Sequence, residues 1–285
     1  MPQASLEVRD WQRDLPDHRD YALRSNLVRR ALRRLRPIAK NDRDPSYIDW
    51  REYCAPVEDQ QGLPTSAAHA CIAMAQYFER RTSGRLLRPS RAFLDYNARR
   101  LQGVGGLGGT TLRGSLKALV QFGMPPEVHW PYTAENLATE PSPFAYGFSE
   151  ESKAIRYVRL DPSDGTGDDA LANIQRFLAA GFVCTLGFPV PDSIGAGPEI
   201  LYPTLADSVS FGHAVTVVGY DDTLRIRSDK GALLVRNSLG RGWGDDGYGW
   251  LPYSYVRQRL AVDAWTLLNR GWLRSGEFFA PESTD

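Results

Sequence analysis

Cysteine is scarce in this chain, with Cys54, Cys71 and Cys184 the only three among 285 residues. So odd and sparse a set excludes a disulfide framework. No Cys or His pair has the spacing of metal ligands, so the three cysteines are expected as small buried hydrophobes and no metal or other cofactor is called for. Net charge is absent too, with 34 basic residues against 34 acidic ones, and global electrostatics therefore gives no pull toward nucleic acid or a membrane surface. No run is long and apolar enough to span a bilayer. The opening "MPQASLEVRDWQRDLPDHRDYALRS" lacks the apolar centre of a secretory signal, which makes a cytoplasmic location the expectation. There is no internal repeat.

What is present suits a globular enzyme of one large or two modest domains: 42% hydrophobic residues, 24% charged, and seven Trp, 13 Tyr and 11 Phe to fill a core. Residues 1 to about 47 read as an N-terminal extension. Within it "YALRSNLVRRALRRLRPIAK" sets Leu23, Leu27, Leu32 and Leu35 among arginines and predicts a basic amphipathic helix ending before Pro37. A solvated arginine face is the plainer reading of that helix, and an acidic partner or polyanion the sharper one.

From Ala67 to about Arg81 the apolar spacing predicts a mostly buried helix stopped near Gly84, and "SRAFLDYNARRLQ" predicts a second. "GVGGLGG", residues 103 to 109, has no Lys-Ser/Thr after it and no strong strand before it, so it is no phosphate cradle. It fits a loop whose backbone lies close to something. "TTLRGSLKALVQFG" predicts a third helix, opened by a Thr cap and closed by Gly123, and a long proline-bearing connector follows. Beyond about residue 150 the texture changes to short β-branched and aromatic runs: "KAIRYVRLD", "FVCTLGFPV", "HAVTVVGYDD", "GALLVRNSLG" and "YGWLPYSYV". One helix, "DDALANIQRFLAAG", interrupts them. The class is α+β, a helical half followed by a mostly antiparallel β half.

Three segments carry polar residues set against glycine or apolar neighbours. Gln60 is followed by Ser66 at a helix start, His213 opens a strongly apolar strand, and Asn237 ends a strand before a Gly-Trp-Gly turn. Nucleophilic catalysis needs a nucleophile, a base, a group that orients the base, and donors for the oxyanion. Ser66, His213, Asn237 and Gln60 can fill those roles, with the Ser66 N–H at a helix N-terminus as a second oxyanion donor. Taken alone, Ser66 reads more readily as a helix cap than as a nucleophile, and His69, one turn on, as a packed helix residue.

Together these motifs resemble the papain-type cysteine peptidases, in particular their bacterial, disulfide-free branch. The resemblance runs from about Trp50 to Val256, through "DW" at Asp49-Trp50, "PVEDQ" ending in Gln60, "WPY" at Trp130–Tyr132, "HAVTVVGYDD" and "RNSLGRGWGDDGYGWLP". "LPDHRDY" is similar to the lead-in of bacterial members. The resemblance implies a papain-like fold over residues 48–285. Its mainly helical half would cover about 48–145 and its mainly β, barrel-like half about 146–285, with an active-site cleft between them and an extended polypeptide as substrate. Gly108, Gly109 and Thr110 would form the backbone ledge that pairs with substrate.

The departures from the family pattern are as informative. The family's nucleophilic Cys falls on Ser66, the aromatic after it on Ala67, and the Gly after the glutamine on Gln61. The Trp that shields the Asn–His bond falls on Leu239, beside the substrate path, so that bond is expected to be open to water. A hydroxyl has no stable counterpart of the thiolate, so proteolysis is expected to be weak or absent. Three readings stay open: a cysteine peptidase deliberately inactivated at Ser66, a natural pseudopeptidase that binds peptide or protein without cutting, and a serine-nucleophile hydrolase or acyltransferase. The extension could be a built-in inhibitor or a docking arm.

Overall fold

A computed structural model of the chain describes residues 10–26, 28–29, 45–149 and 155–269. The Arg-rich helix expected from Leu23 to Arg36 falls largely outside them.

The central element is α1 (Ser66–Ser83), buried without interruption from Ser66 to Phe78. A run of Ala, Cys, Ile, Met, Tyr and Phe broken only by His69 and Gln76 leaves no continuous polar face to give to water, so this helix sits inside the core. Gly84 ends it in the left-handed conformation, φ 68°. Packed on α1 are α2 (Arg91–Gln102), capped by the Ser90 hydroxyl, and α3 (Leu112–Phe122), capped by Thr111 and closed by Gly123. The proline-bearing connector holds two short helices that sequence patterning missed, α4 (Ala134–Ala138) and α5 (Pro143–Gly147), each started by a Thr or Ser cap. Their single turns are too short to show a period.

The β half is one antiparallel sheet in the order β2-β7-β3-β4-β5-β6, with β1 (Tyr47–Asp49) added to β4. Its strands are β2 (Ile155–Arg159), β3 (Cys184–Pro191), β4 (Val209–Ile226), β5 (Asp229–Arg236), β6 (Tyr248–Pro252) and β7 (Val262–Asn269). Among the described residues no ladder joins β2 to β6. The one long helix of this half, α6 (Gly167–Ala179), starts with a capping box between Thr166 and Asp169. "YGWLPYSYV" divides at Pro252: the first part is β6 and the rest is a short helix, α7 (Tyr253–Arg257). Proline's fixed φ and missing N–H suit a helix start better than a strand interior.

Strand β4 passes beneath α1, where the Thr216 hydroxyl donates to the Ala70 carbonyl at 3.0 Å. That crossing places His213, on β4, beside the N-terminal turn of α1. Strand β5 pairs with β4 and stops at Arg236, and the Asn237 N–H is held by the Gly247 carbonyl at 3.0 Å. All three cysteines are free and buried. Burial pushes the Cys54 thiol up to about 11 and raises those of Cys71 and Cys184 well above the usual thiol range.

The end of α3 depends on Gly123, at φ 77°, where a Cβ would lie 2.0 Å from the Ser149 carbonyl oxygen. Gly123→Ala should therefore lower stability by about 3 kcal/mol, from backbone strain and steric overlap together, as read from the midpoint of urea unfolding.

Candidate active site at the helix–sheet junction

Thr65 is the N-cap residue of α1 and Ser66 its first helical residue, so Ser66 is not the cap. The Thr65 hydroxyl makes no capping bond. It lies 2.7 Å from the Tyr132 hydroxyl, and Tyr132 donates at 3.0 Å to the Gln60 carbonyl. This gives "WPY" a physical role: Tyr132 ties the Gln60 loop to the start of α1. Gln61 holds φ 56°, followed by Gly62 at φ 70°, so a side chain occupies a left-handed position that a glycine would take with less strain.

Gln60, Ser66, His213 and Asn237 are all buried and all converge on one place. The His213 Nε2–H donates to Asn237 Oδ1 at 2.6 Å. That oxygen also accepts the Ser238 N–H at 2.8 Å, which fixes the amide's orientation. Gln60 Oε1 accepts the Ser238 hydroxyl at 2.6 Å, leaving Nε2 pointing into the site. The opening to water expected from Leu239 is not seen: Leu239 is 41% exposed, yet His213 and Asn237 are only 4% and 3% exposed. Leu239 instead bridges Asp59 at the edge of the site.

The centre of the site is filled by a residue that the sequence did not single out, Asp10. Its Oδ1 accepts the Ser66 N–H at 2.9 Å, and its Oδ2 accepts Gln60 Nε2–H at 2.9 Å and faces His213 Nδ1 at 3.1 Å. Two backbone or amide donors on its oxygens fit an ionised carboxylate, which can only accept. With Asp10 ionised, His213 donates from both ring nitrogens, the arrangement of an imidazolium paired with its counter-ion. Ser66 Oγ accepts the Ala214 N–H at 3.0 Å, and no hydrogen bond joins it to the His213 ring. No local signal in the sequence marked Asp10.

From Asp10 the extension runs along the cleft. The Trp11 N–H donates to the Gly212 carbonyl at 3.0 Å, and Gln12 donates to Thr110 through its backbone and to Gly109 through its side chain. The expected ledge of Gly108, Gly109 and Thr110 thus has the chain's own segment lying against it. Trp11 is buried against glycine: a Cβ at Gly187 would stand 2.1 Å from its ring. Further on, the Asp14 N–H donates to Asp263 at 2.8 Å, and the Asp14 carboxylate accepts the Trp265 indole N–H at 2.9 Å. Arg159 holds Asp263 at 2.6 Å, and Arg113 holds Asp20 at the same distance. His69 is a packed residue, edge-on to Tyr132, and burial lowers it to about 4.

With this geometry in view, the papain family cysteine protease profile matches residues 44–259. The chain belongs to the papain family of cysteine proteases. It is 31% identical over 220 residues to an uncharacterized peptidase C1-like protein of Acanthamoeba polyphaga mimivirus, covering 74% of this chain and 69% of that one. Among solved structures it is similar to xylellain, a cysteine protease from Xylella fastidiosa, at 29% identity and TM-score 0.75, over 92% of this chain and 96% of that one. It also shares its fold with procathepsin B S9 from Trypanosoma congolense, at 16% identity and TM-score 0.63, over 92% and 86%. Among the described residues no helix is long and apolar enough to cross a membrane.

The docked segment carries a pH dependence. Burial and then the Asp14 charge push Asp263 up to about 7, and burial raises Asp14 as well, against the pull of Arg113 and Arg159. Asp20 and Asp161 complete the ring of charge around them. A carboxylate raised in the docked state binds a proton more tightly there, so this contribution is full at low pH and is lost as pH rises through about 7. Limited proteolysis within residues 10–25 should accelerate between pH 5 and pH 8, and Asp14→Asn should flatten that rise.

Proposed function

We propose that this chain is a papain-type scaffold that receives polypeptide in its cleft, with proteolysis weak or absent because Ser66 stands at the nucleophile position. In this reading His213 is the base, Asn237 orients it, and Gln60 with the Ser66 N–H forms the oxyanion site. The observation that carries the reading is the convergence of the Gln60, Ser66 and His213 donors on a single carboxylate. That donor arrangement suits the negative oxygen of an acyl-transfer intermediate.

Ser66 Oγ takes its hydrogen bond from Ala214, while the base faces Asp10. In the docked state, then, nothing is placed to remove the serine proton, which a neutral hydroxyl must lose during attack. This favours a closed, non-cutting form over a working serine hydrolase or acyltransferase. The extension acts here as the built-in inhibitor of the cleft. The intact Gln60, His213 and Asn237 fit an inactivated peptidase, whereas Ala67 and Leu239 fit natural drift to a binding role. No nucleic acid or membrane partner enters the reading, and the location is taken as cytoplasmic.

A fluorogenic peptide library under reducing conditions tests it. The Asp10→Ala chain should remain at least about 10³-fold slower than the Ser66→Cys, Asp10→Ala double variant. Equal rates would make Ser66 a working nucleophile, and silence from both would mean a binding module whose cleft has drifted beyond one atom.

A further inference from the structure

The Asp10 side chain shows what the site holds well. Two carboxylate oxygens meet three donors, Gln60 Nε2–H, the Ser66 N–H and His213 Nδ1–H, all within 3.1 Å and all buried. One donor is a formal cation and another lies at the positive end of an 18-residue helix. An amide in the same place would turn an N–H toward donors and leave buried groups unpaired.

Trp11 adds a second feature. Its ring rests over Gly187 and Gly212, with no side chain at either to crowd it, and its buried indole N–H has no acceptor. The pocket therefore selects for aromatic bulk and asks for no hydrogen bond, so Phe would suit it as well as Trp. The Asp10 carboxyl carbon is one covalent bond further from the Trp11 Cα than a peptide's terminal carboxyl carbon is from the Cα of its penultimate residue. A chain ending aromatic-glycine thus has nearly the reach of Asp10-Trp11.

We propose that the vacated site is a receptor for the free C-terminal carboxylate of polypeptides whose penultimate residue is aromatic, the tethered Asp10 being its resident competitor. This rests on the reading of Ser66 as a non-cutting residue. With His213 protonated, a neutral hydroxyl leaves one unbalanced positive charge for an incoming carboxylate, whereas a thiolate would cancel that charge and repel the ligand. The substitution that would restore cutting should therefore weaken capture. Charged termini held by backbone and side-chain donors are an established mode of peptide recognition.

The test is calorimetric titration of the full-length Asp10→Ala chain with acetyl-Trp-Gly as the free acid and as the terminal amide. The acid should bind about 100-fold more tightly than the amide. Adding Gln60→Ala should weaken the acid by about tenfold or more, and adding Ser66→Cys should weaken it similarly at pH 6, where the histidine is protonated and a His-paired thiol is already a thiolate. The unaltered chain should bind the acid more weakly than the Asp10→Ala chain does, because Asp10 competes.

Asp10→Asn, which keeps the shape of the plug, provides a second background should Asp10→Ala fold poorly. In the unaltered chain, excess acid but not amide should speed proteolytic cutting within residues 10–25. Equal affinities for acid and amide, or no binding of the acid by a folded Asp10→Ala chain, would overturn the inference. If the Ser66→Cys, Asp10→Ala chain still cut peptides in that event, the peptidase-scaffold reading would stand without it.

Discussion

A single carboxylate organises this molecule's cleft. Asp10 takes hydrogen bonds from the Gln60 loop and from the first N–H of α1, and it pairs with the imidazolium on β4. Those three elements belong to both halves of the fold, so one side chain bridges the junction on which the site is built. Removing it would leave a buried imidazolium without its partner and a helix N-terminus without its acceptor. Such losses cost more than the bonds contribute net, because the remaining groups stay desolvated.

The rest of the extension follows from that anchor. Once Asp10 is seated, Trp11 can lie only where the sheet offers no side chains, over Gly187 and Gly212, and Gln12 meets the backbone of Gly109 and Thr110. Asp14 then reaches the charged cluster of Asp263, Arg159 and Arg113. The segment is thus held by three chemically different contacts: an ion pair with oxyanion-type donors, an apolar pocket, and a proton-sensitive pair of carboxylates. The third weakens as pH rises through about 7, as Asp263 loses its proton beside Asp14.

Much of this was legible in the sequence, because local signals agreed with the fold. Thr111 and Gly123 mark the ends of α3, and the run "DDALANIQRFLAAG" marks the body of α6. The apolar run after Ser66 could only be a core helix. Gln60, Ser66, His213 and Asn237 were legible because papain-type motifs hold them in register, and the structure brings all four together. Strand β7 was missed because Asp263 interrupts its apolar run and sits at φ 59°, a local irregularity that the long-range pairing with β2 and β3 overrides. Asp10 was invisible for a different reason. It is one of several acidic residues in a polar segment, and its importance comes wholly from a contact more than fifty positions away in sequence, which no local pattern encodes.

Whether Asp10 closes the site can be read from reactivity at position 66. Alkylation by iodoacetamide would be timed in the Ser66→Cys chain with Asp10 intact and with Asp10→Ala, using the parent chain, whose three thiols are buried, as the blank. The thiol should react at least about tenfold faster once the carboxylate is gone, because access and thiolate character govern the rate. Equal rates in the two chains would contradict it.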